Sequence, residues 1–237
     1  MQALIHAAGE GKRLRPLTLD RPKPMIELLG KPIIEHTIDN LPDIIDELVV
    51  VIGYKGEKIR EYFGSSWKGR SIVYVEQEMP PRGTAKSLLS ARSKLKRGQR
   101  FVSLMGDNIS GGDAVLKALV YDFALLVRRH DHPEHFGVIE VNENGTIKNM
   151  IEHPKNPPTN LVSTGTYVLS DRIFDTNMVL NVDRNEYLLP DLLLEVARRE
   201  PVYTVEQDFW ISVDKPDDIP GAEELLKQRR KKRPHPG

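Results

Sequence analysis

Up to Asp107, the chain alternates short apolar runs with helix-like segments, and this alternation constrains the fold more than any other feature. The segments predict helices over Pro32–Leu41, Glu57–Phe63 and Thr84–Leu95. The runs are bounded by turn-forming residues and predict strands: Ala3–Ala7, Leu48–Ile52, Ile72–Val75 and Phe101–Met105. A strand–helix–strand order indicates a parallel sheet that helices cover on both faces. We therefore predict an α/β fold.

After Asp107 the pattern changes, because strand-like stretches follow one another with few helices between them. These stretches are Tyr121–Val127, Phe136–Val141, Ile147–Glu152 and Leu161–Leu169. Asn144-Gly145 is typical of a type I′ hairpin turn. We predict a mixed or antiparallel extension of the sheet here. The remaining predicted elements are helices over Leu188–Arg199 and Pro216–Lys227 and strands over Val202–Val205 and Trp210–Val213.

The composition excludes several classes of protein. The 237 residues contain no cysteine, which excludes disulfides, thiolate zinc sites, iron–sulfur clusters and cysteine nucleophiles. No apolar run approaches the roughly 20 residues of a membrane span. The first residues lack the charged and apolar regions of a signal peptide. We expect a cytoplasmic globular protein.

The net charge of zero is the balance of a basic carboxyl-terminal tail and an acidic body. Residues 225–237 carry six Lys and Arg and no acid, so the rest of the chain has a net charge of −6. Such a tail could bind nucleic acid or anionic lipid. It also fits a frayed, solvated end that Pro234 and Pro236 interrupt. We expect the second, because nothing else in the chain resembles a nucleic-acid face.

A glycine-containing basic loop, residues 8–15, follows the first predicted strand. Its glycines let backbone N–H groups approach a phosphate closely. It is not a Walker A loop, because Arg13 stands where that motif needs Ser or Thr. It is not a dinucleotide fingerprint either. Leu14 stands in place of the third glycine, and the second strand ends at Gly53-Tyr54 without an acidic residue. A loop of this kind by itself is about as often a structural turn as a site.

The wider run from Leu4 to Leu41 resembles the opening of the sugar-1-phosphate nucleotidylyltransferases. Their pattern is roughly A-G-x-G-x-R-L-x-P-L-T, then P-K-P, then K-P, and every element is present here. The resemblance continues over most of the chain, through Glu76-Gln77, Gly83-Thr84-Ala85, Gly106-Asp107-Asn108, Phe136-Gly137-Val138, Ile151-Glu152-His153, Trp210, Val213-Asp214 and Pro216.

The resemblance implies that the phosphate of a sugar 1-phosphate attacks the α-phosphorus of a nucleoside triphosphate. Pyrophosphate leaves and a nucleotide sugar forms. Because the reaction brings several negative charges together, the protein mainly neutralises and aligns them. The implied catalytic residues are Arg13, which would hold the triphosphate, Lys23, which would bridge the two phosphates, and Asp107, which would bind Mg²⁺.

The resemblance also implies which residues bind the substrates. For the nucleotide they are Ala8, Gly9, Gly11, Arg13, Gln77, Gly83 and Thr84. Gln77 offers an acceptor and a donor to a pyrimidine edge, so we expect UTP or dTTP rather than ATP or GTP. For the sugar they are Gly137, Glu152 and Thr164, and glucose 1-phosphate or N-acetylglucosamine 1-phosphate is favoured.

The family pattern indicates a second metal ligand less directly than it indicates Asp107. Many relatives place a metal-binding Asp four residues before a proline, a position that Ser212 occupies here. Asp214 lies two residues nearer Pro216, where the uridylyltransferases have Asn. We expect Asp107 and Asp214 to bind Mg²⁺. The alternative is that Asp214 caps the following helix.

The His130, His132 and His135 cluster lacks a carboxylate or thiolate at helical spacing, so we interpret it as a surface loop rather than a metal site.

Together these patterns predict a Rossmann-like, mostly parallel central sheet with helices on both faces and a mixed-sheet, sugar-binding extension. Residues 1–226 would form one nucleotidyltransferase domain, with a nucleotide-binding half (1–110) and a sugar-binding half (111–226). Residues 227–237 would be a disordered basic tail. The expected partners are an NTP and a sugar 1-phosphate, with no nucleic acid and no membrane. The sequence does not decide between a monomer and a homo-oligomer. A catalytically inactive regulatory homologue is the alternative, which the complete set Arg13, Lys23 and Asp107 disfavours.

Overall fold

The computed structural model describes residues 1–77 and 83–232. The helices in these ranges are α1 (Ile33–Asp39), α2 (Gly56–Phe63), α3 (Thr84–Ala91), α4 (Gly112–Ala118), α5 (Leu189–Ala197) and α6 (Asp218–Lys232). The strands are β1 (Gln2–Ala7), β2 (Glu27–Leu28), β3 (Lys31–Pro32), β4 (Glu47–Ile52), β5 (Ser66–Trp67), β6 (Arg70–Glu76), β7 (Arg100–Met105), β8 (Asn108–Ser110), β9 (Phe123–Arg129), β10 (Gly137–Val141), β11 (Ile147–Glu152), β12 (Leu161–Ser170), β13 (Tyr203–Glu206) and β14 (Trp210–Ser212).

The central sheet has the order β11-β10-β12-β7-β1-β4-β6-β5, and β9 pairs with β12 and β13. Strands β7, β1, β4 and β6 run parallel, and β12 continues the sheet antiparallel to β7. This confirms the predicted α/β fold with its mixed extension. Strand order reverses between β1 and β7, and at such a switch point the loops after the two strands diverge and leave a crevice.

Helices on both faces of the sheet bury its central strands. Successive side chains of a strand point to opposite faces. Leu4 of β1 and Val49 of β4 therefore belong to one core, with side chains of α3 and α5. Ile5 and Val50 belong to the other, with side chains of α1, α2 and α4. Continuous apolar runs are what a sheet with two covered faces requires, which explains why these strands were recognisable.

Two local features of the second half differ from the sequence-based prediction. Helix α4 was missed, because it has only seven residues and begins at Gly112, directly after Gly111, and glycine disfavours helix. The hairpin of β10 and β11 is present, but its turn is not type I′, since Gly145 has a positive φ (77°) and Asn144 does not. The Gly145 N–H donates to the Asn142 carbonyl at 2.9 Å, as in a type I turn with a glycine bulge.

Helix α6 extends further than predicted. It runs through Lys232, so the expected disordered tail begins inside a helix, and residues 233–237 lie outside the described part of the chain. Lys, Gln and Arg favour helix, and no breaker stands between Lys227 and Pro234. None of the helices in the described ranges is both long enough and apolar enough to cross a membrane.

Candidate active site

A cavity of about 590 Å³ lies over the carboxyl ends of β1 and β7, at the switch point of the sheet. Its volume is in the range of small-molecule sites. Every residue predicted to be catalytic, nucleotide-binding or metal-binding lines it: Ala8, Gly9, Gly11, Arg13, Lys23, Gln77, Gly83, Thr84, Asp107 and Asp214.

Lys23 lies at the centre of the charged groups in this cavity. Pro22 and Pro24 flank it in a short 3-10 turn, which fixes the backbone. Its Nζ is 2.6 Å from Asp107 Oδ2 and 2.9 Å from Asp214 Oδ1, and only 11% of its side chain is exposed. Burial by itself would lower the pKa of Lys23, but the two carboxylates outweigh it and hold that pKa above its usual value. Lys23 is therefore a firmly charged cation.

The two aspartates meet because of the short ribbon that β8 and β14 form. Asn108 pairs with Ser212 in this antiparallel ribbon, so Asp107, just before β8, and Asp214, just after β14, lie at the same end. Asp214 Oδ1 also accepts a hydrogen bond from Arg13 Nη2 at 2.9 Å. Burial raises the pKa of Asp214, but Lys23 and Arg13 more than offset this and hold it below its usual range. Asp214 is therefore an ionised carboxylate.

Asp214 does not cap α6, so the structure does not support the alternative role. Both oxygens of the Asp214 carboxylate accept from side chains instead, Oδ1 from Lys23 and Arg13 and Oδ2 from Ser212. The backbone N–H groups of Asp214 (2.8 Å) and Lys215 (2.9 Å), which precede α6, donate to Oδ2 of Asp218, the first residue of that helix. The Ser212 hydroxyl, at the position of the usual metal-binding Asp, donates to Asp214 Oδ2 at 3.2 Å. Ser212 therefore supports Asp214 rather than replacing it.

The glycine-containing loop has a conformation that needs glycine at position 11. Gly11 has a φ of 62°, and a Cβ there would lie 2.8 Å from Lys23 Cβ. The Thr18 hydroxyl donates to the Gly11 carbonyl at 3.0 Å. A side chain at position 11 would therefore displace the lysine that pairs with both aspartates.

The predicted base-binding residues Gln77, Gly83 and Thr84 line the same cavity. Gln77 directly follows β6 and is buried, and its backbone N–H donates to the Ile52 carbonyl at 2.9 Å. Gly83 has a φ of 95°, and a Cβ there would overlap the backbone of Tyr187. The Thr84 hydroxyl oxygen accepts a hydrogen bond from the Leu189 N–H at 2.8 Å. The Thr84 hydroxyl thus contacts the second half of the chain.

The structure places two of the three predicted sugar-binding residues side by side and buries the third in the core. Gly137 and Glu152 are register partners on β10 and β11, and a Cβ on Gly137 would lie 2.6 Å from Glu152 Oε1. Burial raises the pKa of Glu152, and the charge of Arg184 partly offsets this. The structure contradicts the prediction that the Thr164 side chain binds the sugar, because that side chain is fully buried. Its hydroxyl donates to the Leu126 carbonyl (2.8 Å) and accepts from Gln207 Nε2 (2.6 Å), so it is committed to the core.

The comparison with protein families decides the classification. The model of the Nucleotidyl transferase family matches residues 2–229. The chain belongs to this family.

Two relatives show how much of a known protein this chain resembles. It is 37% identical over 227 residues to bifunctional protein GlmU of Methanococcus maripaludis strain C7, which covers 94% of this chain and 53% of GlmU. The chain thus spans about half the length of that relative. It is also 37% identical over 241 residues to UTP–glucose-1-phosphate uridylyltransferase AglF of Haloferax volcanii, covering 96% of this chain and 97% of AglF.

A solved structure shows the same fold. A Bacillus anthracis protein assigned as a glucose-1-phosphate thymidylyltransferase, crystallised with sucrose, superposes with a TM-score of 0.85 over 96% of both chains at 24% identity.

Sequence reasoning missed several residues that line the cavity: His6, Ser87, Met105, Glu186 and Leu188. The His6 ring nitrogens lie 2.7 Å from the Ser87 hydroxyl and 2.9 Å from the Ser103 hydroxyl. Burial lowers the pKa of His6 to about 4, so the ring is neutral at physiological pH. A polar residue inside the apolar run of β1 was the available signal.

The histidine cluster lies on the surface loop where the sequence placed it. His132 and His135 have side chains that are 70% and 71% exposed. The His130 ring packs edge-on against Phe136, with ring centroids 4.7 Å apart. The two exposed side chains and the ring contact are typical of a surface loop that covers an aromatic residue.

Proposed function

We propose that this protein transfers a nucleotidyl group from UTP or dTTP to a sugar 1-phosphate, giving a nucleotide sugar and pyrophosphate. The observation that carries the proposal is the group of Lys23 and Arg13 with Asp107 and Asp214 in the cavity at the switch point. The similarity to AglF, a UTP–glucose-1-phosphate uridylyltransferase matched over 97% of its length, supports a uridylyltransferase.

The two cations account for the main requirement of the reaction, which is to gather phosphates. Arg13 is 71% exposed and reaches into the cavity, where its planar guanidinium can take two phosphate oxygens. Lys23 is buried, braced by prolines and already paired with two anions. We propose that Lys23 bridges the attacking phosphate and the α-phosphate, replacing bonds to carboxylates with bonds to phosphates.

The two aspartates fit a Mg²⁺ site that phosphate oxygens complete. Mg²⁺ is commonly held by one or two carboxylates together with substrate phosphates and water. Among the residues that the structure describes, no group of three or more His, Asp or Glu side chains could hold a metal on its own. We therefore propose that Asp107 and Asp214 hold Mg²⁺ only together with the nucleotide. When bound, the metal would neutralise phosphate charge and polarise the α-phosphate.

Backbone groups and one amide would recognise the nucleotide. We propose that the loop of Ala8, Gly9 and Gly11 presents its backbone to the phosphates. Gln77 would pair with a pyrimidine edge, and the Gly83 backbone would approach the base. Thr84 would contact the nucleotide through its backbone, because its hydroxyl accepts a hydrogen bond from the Leu189 N–H.

On the sugar side, Gly137 and Glu152 remain the proposed residues. The Glu152 carboxylate lies directly against the Gly137 backbone, so a hydroxyl group could contact both. Glucose 1-phosphate or N-acetylglucosamine 1-phosphate stays the favoured acceptor. A cytoplasmic location, the absence of nucleic-acid and membrane partners, and a homo-oligomer stay predictions.

The test is a panel of reactions scored by pyrophosphate release. Each of UTP, dTTP, ATP and GTP is paired with glucose, galactose, mannose and N-acetylglucosamine 1-phosphate in the presence of Mg²⁺. We expect release that needs both substrates and is fastest with UTP or dTTP. Nucleotide binding without release in any pairing would favour the inactive regulatory homologue instead.

A further inference from the structure

The two halves of the site are joined where α3 and α5 begin. Thr84 is the first residue of α3, and Leu189 is the first residue of α5. The Thr84 hydroxyl oxygen accepts a hydrogen bond from the Leu189 N–H at 2.8 Å, and the Ala85 N–H donates to the Tyr187 carbonyl at 2.9 Å. Gly83 lies directly on the Tyr187 backbone, where no Cβ would fit.

The Thr84 hydroxyl serves as the cap of a helix to which it does not belong. The first N–H groups of a helix have no partner within the helix. At α5 the N-cap residue is Leu188, whose side chain has no acceptor, and Pro190 follows at the second position. Thr84 supplies the missing acceptor across the boundary between the halves.

The segment just before α5 is held together by its own hydrogen bonds. Asn181 and Glu186 exchange backbone N–H to carbonyl bonds of 2.8 and 3.3 Å. Asn181 Oδ1 accepts from the Arg184 N–H at 3.2 Å, and Asn181 Nδ2 donates to Asp191 Oδ2 on α5 at 3.0 Å. Residues 181–187 therefore move with the first turn of α5.

The 181–187 segment contributes one residue to the cavity and another that lies near the proposed sugar-binding carboxylate. Glu186 lines the cavity, and so does Leu188 just beyond the segment. Arg184 is close enough to Glu152 and His153 for its charge to lower the pKa of both side chains. A shift of the 181–187 segment would therefore change the electrostatic surroundings of the proposed sugar-binding carboxylate.

We propose that Thr84 is a positioning residue for the sugar 1-phosphate: its hydroxyl fixes the 181–187 segment, and with it Arg184, relative to Glu152. This inference rests on the proposed function, since it concerns the second substrate of that reaction. The Thr84 hydroxyl thus acts on the sugar half, although its sequence position is in the nucleotide half.

The test compares Thr84→Val, which keeps the shape but loses the acceptor, with Thr84→Ser, which keeps the acceptor. We expect Thr84→Val to raise the KM for the sugar 1-phosphate by about tenfold and to leave the dissociation constant for UTP or dTTP within about twofold. Thr84→Ser should restore the sugar KM to within about twofold of wild type. Asn181→Ala, which loosens the segment from the other end, should reproduce the Thr84→Val pattern.

Hydrogen exchange supplies a readout that does not need turnover. In the nucleotide-free protein, peptides covering residues 181–189 should exchange faster in Thr84→Val than in wild type or Thr84→Ser, by at least about fivefold at the Leu189 amide. Unchanged exchange there would overturn the inference, even if pyrophosphate release establishes the proposed function.

Two kinetic outcomes would also overturn it. One is a larger loss of UTP or dTTP affinity than of sugar affinity in Thr84→Val, which would make Thr84 a nucleotide contact. The other is an unchanged sugar KM despite faster exchange. If Thr84→Val exchanges faster than wild type but the wild-type protein itself releases no pyrophosphate, the proposed function is refuted and the connection between the helices stays in place.

Discussion

Asp214 offers the sharpest test of the charged centre, because metal binding and support of the residues before α6 can be separated by a matched pair of variants. Asp214→Asn removes the charge that contacts Lys23 and Arg13. Asp218→Ala removes the carboxylate that accepts hydrogen bonds from the Asp214 and Lys215 N–H groups before α6. The two positions are four residues apart, and both variants should lower stability. Only the first should change the response to Mg²⁺.

The effect on stability follows from the two ion pairs of Asp214. The pair with Arg13 contributes little, because the arginine is 71% exposed. The pair with the buried Lys23 is charge-assisted, but Asp107 stays in place, so we expect a loss of about 1.5 kcal/mol in the free energy of unfolding. For a chain of this size that corresponds to roughly 3–6 °C in Tm. Asp218→Ala should lose about 1 kcal/mol, a typical net contribution of a hydrogen bond.

The pH dependence of this loss has a defined sign. Burial raises the pKa of Asp214, but Lys23 and Arg13 more than offset it, so the folded-state pKa is below the unfolded value of 3.8. The carboxylate therefore stabilises the protein fully above the unfolded pKa, and this contribution is lost as the pH falls through the folded pKa. The stabilities of wild type and Asp214→Asn should converge in that acidic window and differ most near neutral pH.

The assay is the initial rate of pyrophosphate release as Mg²⁺ is varied at fixed nucleotide and sugar 1-phosphate. Asp214→Asn should raise the Mg²⁺ concentration for half-maximal rate by at least about tenfold. Asp218→Ala should leave that concentration within about twofold of wild type. An unchanged Mg²⁺ requirement in Asp214→Asn, or an equal change in both variants, would refute the reasoning.

Three further variants test other parts of the site. Lys23→Ala should lower kcat at least about a hundredfold with the fold intact by circular dichroism; near-normal turnover would show that Lys23 does not bridge the phosphates. Gln77→Ala should weaken UTP and dTTP use far more than ATP or GTP use, and equal losses would argue against base reading by Gln77. His6→Gln tests burial of a neutral ring. The pKa of His6 is about 4 when folded and 6.5 when unfolded, so stability should rise with pH between these values by about 3 kcal/mol in wild type, and by clearly less in the variant.

Much of the fold could be predicted because its strands are buried on two faces. Such strands are short continuous apolar runs, and β1, β4, β6 and β7 were located within two residues at each end. The proline-flanked lysine and the strand-end aspartate were recognisable for a related reason. The prolines beside the lysine stiffen its backbone, and this is visible in the local sequence. The aspartate follows a strand, and the carboxyl ends of parallel strands lie at one edge of the sheet.

The features that were missed depend on distant contacts. Thr164 has the residue type of a sugar ligand, but Gln207 from another part of the chain occupies its hydroxyl. Helix α4 is stabilised by packing its alanines and valine on the sheet, not by local propensity. The contact of Thr84 with Leu189, 105 residues away, follows from how the two halves meet. No local pattern encodes that arrangement.

The most direct test of the central claim is to follow the oxygen atoms of the sugar 1-phosphate. The substrate carries ¹⁸O in its non-bridging phosphate oxygens, and the products with UTP or dTTP and Mg²⁺ are analysed by mass spectrometry. Attack of this phosphate on the α-phosphorus predicts that all label remains in the nucleotide sugar and that the pyrophosphate is unlabelled. Label in pyrophosphate or orthophosphate, or the absence of a labelled nucleotide sugar, would contradict nucleotidyl transfer at this site.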